Sequence, residues 1–152
     1  MNLEKKVKSI MKDNPLIVLP SETLESVSKK MAEGERDIVV VEEEGIVKGL
    51  VTASDIYFAM KSYVLSKNML KSEPMEIRNI KILELMNTPK AYEFMKACGL
   101  TGTNMCIVLG ENDSVANAIR VMAISGINHI LIINDKGICG TLSDKDLLKV
   151  FI

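Results

Sequence analysis

The sequence predicts an α/β fold built from one unit used twice, and three observations carry that expectation. A strand-to-helix corner occurs in two copies, Gly49-Leu50-Val51-Thr52-Ala53-Ser54-Asp55 and Gly140-Thr141-Leu142-Ser143-Asp144-Lys145-Asp146. Each copy is a glycine, two strand residues, a hydroxyl, two spacers and an aspartate. The same order of elements surrounds both copies: helix, strand, helix, strand, turn, strand, helix, at an offset of about 90 to 92 residues. Of 152 residues, 47% are apolar and 26% charged, enough for one domain or two small halves that share a core.

Taken in order, Leu3, Val7, Ile10 and Met11 fall at helical spacing and predict an N-terminal amphipathic helix. Asn14-Pro15 ends it, because proline moves its predecessor out of the α region. Leu16-Ile17-Val18-Leu19 reads as a short buried strand closed by Pro20. Ser21 is the predicted cap of a helix with Leu24, Val27 and Met31 on its apolar stripe, stopped at Gly34. Residues 38–41 form a second buried strand, 42–45 a turn and 46–51 a third strand. The helix after Asp55 is apolar on two sides, with Ile56, Met60, Tyr63 and Leu70 on one and Phe58, Leu65 and Met69 on the other. Such a helix is expected to be buried twice, once in its own domain and once against the second half or a second subunit.

The second half repeats this order. Ile80, Leu83 and Met86 open it, and Thr88-Pro89 starts an inserted helix near 88–103. A strand at 105–109 follows, then a helix capped by Asn112 or Asp113 and stopped at Gly126. Strands at 129–133 and 138–142 flank a turn, and Ser143 opens a last helix. The expected division is residues 1–75 for the first repeat, with the N-terminal helix, and 76–152 for the second, with the insert. Superposition sets Ile17-Val18-Leu19 on Ile107-Val108-Leu109, Gly34 on Gly126 and Asp55 on Asp146.

Composition narrows the function. A net charge of −1 gives no footprint for nucleic acid, and no apolar run is long enough to span a bilayer. Residues 1–13 alternate lysine with apolar residues and lack a secretion signal. Cys98, Cys106 and Cys139 form no metal-ligand pair and suit reduced thiols in a cytoplasm. With one histidine and no nucleophile–base pair, metal cluster or glycine-rich phosphate loop, an enzyme is not expected.

Thr52-x-x-Asp55 and Ser143-x-x-Asp146 each fit a capping box with aspartate in place of glutamate. One copy alone reads as a cap; two copies in matched surroundings point to a corner that meets a ligand. The ordered set resembles a tandem pair of cystathionine-beta-synthase (CBS) domains over nearly the whole chain. Ile10-Met11 and Leu85-Met86 resemble that family's opening motif. The resemblance implies two β-α-β-β-α repeats packed about a pseudo-two-fold axis, with clefts that take AMP, ADP, ATP or S-adenosylmethionine. It implies that Asp55 and Asp146 accept from ribose hydroxyls and that Thr52 and Ser143 reach ribose or phosphate oxygens. It places adenine against the first strand of each repeat, at Ile17 and Val18 and at Ile107 and Val108. Physical chemistry agrees, since a diol offers two donors to one carboxylate and a helix N-terminus attracts an anion. The family often carries a basic group where the second strand begins; here that place falls to His129 in one repeat and Asp37 in the other. Lys145 beside Asp146 faces Ser54 beside Asp55 in the same comparison, so the two clefts should differ. The expected protein is a ligand-sensing homodimer that signals to a regulated enzyme or transporter, without a metal or required cofactor. The competing reading is a structural adaptor whose corners are only caps.

Overall fold

The computed structural model describes residues 1–70, 77–85 and 108–152. The predicted insert near 88–103, Ile107, Cys98 and Cys106 lie outside the described residues. In chain order the elements are a 3-10 turn (Val7–Ser9), β1 (Lys12–Asp13), β2 (Ile17–Val18), α1 (Leu24–Glu33), β3 (Ile38–Glu43), β4 (Ile46–Thr52), α2 (Ala53–Leu70), a 3-10 turn (Ile77–Asn79), α3 (Ile82–Leu85), β5 (Val108–Gly110), α4 (Val115–Ser125), β6 (His129–Asn134), β7 (Gly137–Ser143) and a 3-10 helix (Asp146–Phe151). They separate into two compact units. One holds the described residues between 16 and 85; the other holds Met1–Pro15 with 108–152.

In the first of these, β2 runs parallel to β3, and β3 runs antiparallel to β4. β3 is the central strand, and its run Ile38-Val39-Val40-Val41 is buried at every position. That explains a β-branched stretch with no polar alternation: both faces are covered. Val18, Leu24, Val27, Met31, Val39, Val41, Val51 and Ile56 pack into one core, each worth about 1.5–3 kcal/mol when fully buried. β2 differs from the expected four-residue buried strand. Val18 is buried and Leu16 packs partly against the core, while Ile17 and Leu19 are half exposed, as on a sheet edge where side chains alternate.

In the second unit β5 is parallel to β6, β6 antiparallel to β7, and β1 adds antiparallel to β7. Its core is Leu109, Val115, Ala118, Met122, Ile130, Ile132 and Leu142. Every one of these stands 91 residues after its counterpart (109 less 18 for Leu109 and Val18). The offset is therefore constant, and Ile17 matches Val108 rather than Ile107.

The predicted domain boundaries are corrected on one point: each repeat's opening segment sits in the other repeat's core. Val7 and Ile10 are fully buried beside Leu109 and Ile130. Ile82 and Leu85 are buried beside Val18 and Val39. Backbone bonds fix both segments. Val7 N–H donates to Asp113 O at 2.8 Å and Val115 N–H to Lys5 O at 2.8 Å; Leu24 N–H donates to Ile80 O and Ile82 N–H to Glu22 O at 2.7 Å. These bonds take amides that an N-terminal helix would need. A dozen-residue helix is marginal alone, and only the turn Val7–Ser9 forms.

The helix caps are shifted as well. Thr23, not Ser21, caps α1, its Oγ1 accepting from Ser26 N–H at 3.1 Å. Ser114, not Asn112 or Asp113, caps α4, accepting from Asn117 N–H at 3.1 Å. The reason is shared. An acid just before each cap folds back on the amide three residues earlier: Glu22 accepts from Leu19 N–H and Asp113 from Gly110 N–H, each at 2.8 Å. Each turn holds the chain non-helical up to the residue that follows the acid, Thr23 or Ser114. Gly126 ends α4 in the left-handed region, φ 67°, as predicted for a C-terminal stop.

Candidate functional site

The duplicated corner is the join between β4 and α2 in one unit and between β7 and the 3-10 helix in the other. Thr52, Asp55, Ser143 and Asp146 are all at most 4% exposed, although all are polar. Asp55 Oδ2 accepts from Thr52 N–H at 2.9 Å and from Thr52 Oγ1–H at 3.0 Å, and Asp55 N–H donates back to Thr52 Oγ1 at 3.2 Å. Asp146 Oδ2 accepts from Ser143 N–H at 2.9 Å and from Ser143 Oγ–H at 3.2 Å. One oxygen of each carboxylate thus serves as a cap, which satisfies buried helix-start donors.

The other oxygen separates the two corners. Asp146 Oδ1 accepts from Lys149 Nζ at 3.2 Å, and the same ammonium donates to Ile10 O at 3.0 Å. A cation one turn on therefore ties this carboxylate to the N-terminal segment. At the same offset the first repeat has Phe58, which cannot form that bond. Sequence reasoning passed over Lys149; its i,i+3 spacing from Asp146 was the available signal.

The remaining predicted residues fall as follows. The register sets Ile38 opposite Thr52 and His129 opposite Ser143. His129 therefore corresponds to Ile38, and Asp37 to Asn128. The backbone repeats this match: Ala53 N–H donates to Asp37 O at 2.9 Å and Asp144 N–H to Asn128 O at 3.1 Å. The expected comparison of His129 with Asp37 was one residue out, and in a strand one residue reverses the face. His129 is buried at the start of β6, beside Ser143. Lys145 is exposed and makes no capping bond through its side chain. Val18 points into the core of its repeat, so among the first-strand residues it is Ile17, 46% exposed, and Val108, partly buried, that present side chains outside it.

The titration of Glu22 and that of Cys139 are shifted. Burial works to raise the Glu22 carboxyl, but the Lys30 ammonium, the Leu19 amide and the Ser26 hydroxyl outweigh it and hold the group below the ordinary carboxylate range. Burial, then the Glu111 carboxylate, pushes the Cys139 thiol up. Among the described residues no group of His, Cys, Asp or Glu could hold a metal ion, and no helix is long and apolar enough to cross a membrane.

A parallel pair and an antiparallel pair of strands around one central strand, with a helix after the first strand and a hydroxyl–aspartate corner after the third, occur in both units and define a fold built from one repeated α/β module. The CBS domain family profile matches residues 7–62 and 103–152, and the chain belongs to that family. No curated protein matches it by sequence. Among solved structures it is similar to a conserved protein of Pyrococcus horikoshii, with 24% identity, TM-score 0.66, and 99% and 95% of the two chains covered. It is similar to MJ1225 of Methanocaldococcus jannaschii, a proposed archaeal homologue of γ-AMPK, with 19% identity, TM-score 0.68, and 100% and 49% covered. It is also similar to the CBS domain pair of protein MJ0100 in complex with 5′-methylthioadenosine and S-adenosyl-L-methionine, with 17% identity, TM-score 0.64, and 97% and 95% covered. At these identities the likeness establishes the fold.

Proposed function

We propose that the chain is a non-catalytic regulatory module that senses an adenosine compound, AMP, ADP, ATP or S-adenosylmethionine, and needs no cofactor to do so. The ribose diol bonds to the Asp55 carboxylate, with Thr52 beside it. Ligand biases a conformational equilibrium that a partner enzyme or transporter in the cytoplasm reads. One observation carries the choice of corner: Lys149 occupies the second oxygen of Asp146, whereas Phe58 stands at that place beside Asp55. Family membership and the adenosine ligands of the MJ0100 pair support the ligand class. The exposed side chains Tyr57, Met60, Val64 and Leu65 on α2 are the proposed contact of a homodimer.

Thermal unfolding with each of the four compounds tests this. Ligand at a hundredfold over its dissociation constant adds about 2.7 kcal/mol to wild-type stability. A second reading, the adaptor, is favoured by the capping bonds that already hold one oxygen of each aspartate. It predicts no shift with any compound, and an Asp55→Ala defect limited to about 1 kcal/mol of stability.

A further inference from the structure

The second corner is tied on both sides to the N-terminal segment. Before it, Lys12 and Asp13 pair with Thr141 and Gly140, the residues that lead into Ser143. The fit there is close, since a Cβ on Gly140 would lie 2.7 Å from Lys12 O. After it, Lys149 Nζ donates to Ile10 O at 3.0 Å and to Asp146 Oδ1 at 3.2 Å. Residues 10–13 therefore span the strand end and the helix start that together make the corner. The first repeat has no such tie at its carboxylate, because Phe58 stands at the place of Lys149.

The bridge is uneven. The Asp146 side chain is 3% exposed and that of Lys149 is 44%. The ammonium is the solvated member, so it is the one that can swing out. Departure alone would leave a buried carboxylate oxygen without a donor, which is strongly unfavourable. Departure in exchange for two hydroxyl donors would not, because Oδ2 keeps its bonds from Ser143 and Oδ1 regains a partner. Release of the ammonium and arrival of a diol are therefore linked.

We propose that residues 10–13 and Lys149 form an autoinhibitory strap: the ammonium holds the Asp146 oxygen that a ribose diol would take, and a diol bound there frees Ile10 O. This rests on the adenosine reading and adds regulation to it. The corner at Asp55 is open, and the corner at Asp146 is latent. Val7 and Ile10 keep their side chains in the core, so what loosens is the backbone from Ile10 O onward. Linkage makes the effect reciprocal: a looser strap binds the diol better by the factor with which the diol loosens the strap. For an ammonium this exposed the factor is about tenfold, the low end for charge-assisted hydrogen bonds.

The test is a calorimetric titration of the full chain with adenosine, which carries the diol and base that the four compounds share. Wild type should bind one equivalent. Lys149→Met should bind a second, at least about tenfold more tightly than any second uptake by wild type, and Lys149→Arg, which keeps the cation, should follow wild type. Gly140→Ala pushes the strap away without changing Lys149 or Asp146, and it should strengthen the second equivalent too. 2′-Deoxyadenosine, with one hydroxyl of the diol missing, should gain nothing from Lys149→Met. Amide exchange supplies a readout of the strap itself. Ile10 and Met11 N–H both donate to Val7 O, at 3.1 and 2.9 Å. Their exchange should quicken in Lys149→Met without ligand, and in wild type only at adenosine concentrations well above those that fill the first site. The strap is overturned if Lys149→Met binds no more adenosine than wild type, if 2′-deoxyadenosine gains equally, or if exchange at Ile10 and Met11 is unchanged. A wild type that binds no adenosine overturns the reading at Asp55 instead; one equivalent taken up by Lys149→Met would then still support the strap, and none would overturn it.

Discussion

The two corners share a motif and a fold but are wired differently. In the first, Thr52 and Asp55 bond to each other in both directions at the start of an 18-residue helix. In the second, Ser143 and Asp146 precede a short 3-10 helix, and Lys149 joins the carboxylate to Ile10 O. The difference teaches that duplication preserves the cap, which the backbone needs in both places, and leaves the second oxygen free to be assigned. One copy spends that oxygen on holding the N-terminal segment; the other copy, with Phe58 at the equivalent place, does not.

The largest effect that would sharpen this comparison concerns the exchanged openings. Ile10→Ala and Ile82→Ala each remove a fully buried side chain and should cost about 2–5 kcal/mol. Hydrogen exchange should show the Ile10 change loosening β6 and β7, and the Ile82 change loosening β3 and β4. The opposite pattern would restore the sequential division at residue 75. Next comes Gly140→Ala. A Cβ there would lie 2.6 Å from Met11 Sδ and 2.7 Å from Lys12 O, so β1 must move away. Denaturant unfolding should report a loss of about 1–3 kcal/mol.

Caps should be equivalent across the repeats. Thr23→Ala and Ser114→Ala are each expected to cost about 1 kcal/mol by thermal unfolding, and a large inequality would break the parallel. The smallest effect is a pH dependence found in the first repeat. Glu22 is held below the ordinary carboxylate range, so its contribution is full above the unfolded value of about 4.3 and is lost as pH falls through the lower folded value. Glu22→Gln should flatten that acid limb of an unfolding-against-pH curve and leave the neutral region nearly parallel to wild type.

Much of the fold was legible because it is written in local signals. Gly126 stops a helix, β-branched runs mark the strands, and the corner repeats with its glycine and acid in place. What was not legible depends on contacts distant in sequence. Nothing local shows that Val7 and Ile10 belong with Leu109 and Ile130, or that Lys149 meets Ile10 O across 139 residues. The one-residue error between His129 and Asp37 has a different cause. A strand buried at every position from Ile38 to Val41 has no alternation, so its pattern cannot set the register. The caps were misplaced because Glu22 and Asp113 each bend the chain before the helix begins.

The central claim is tested most directly by counting bound nucleotide. Equilibrium dialysis of the four adenosine compounds against wild type, Asp55→Ala, Asp146→Ala and Lys149→Met should find one site per wild-type chain for whichever compound binds. Asp55→Ala should weaken that site about ten- to a hundredfold, Asp146→Ala should leave it within about twofold, and Lys149→Met should allow a second equivalent to bind. Loss of binding in Asp146→Ala with retention in Asp55→Ala would contradict the account, as would the absence of binding by every compound.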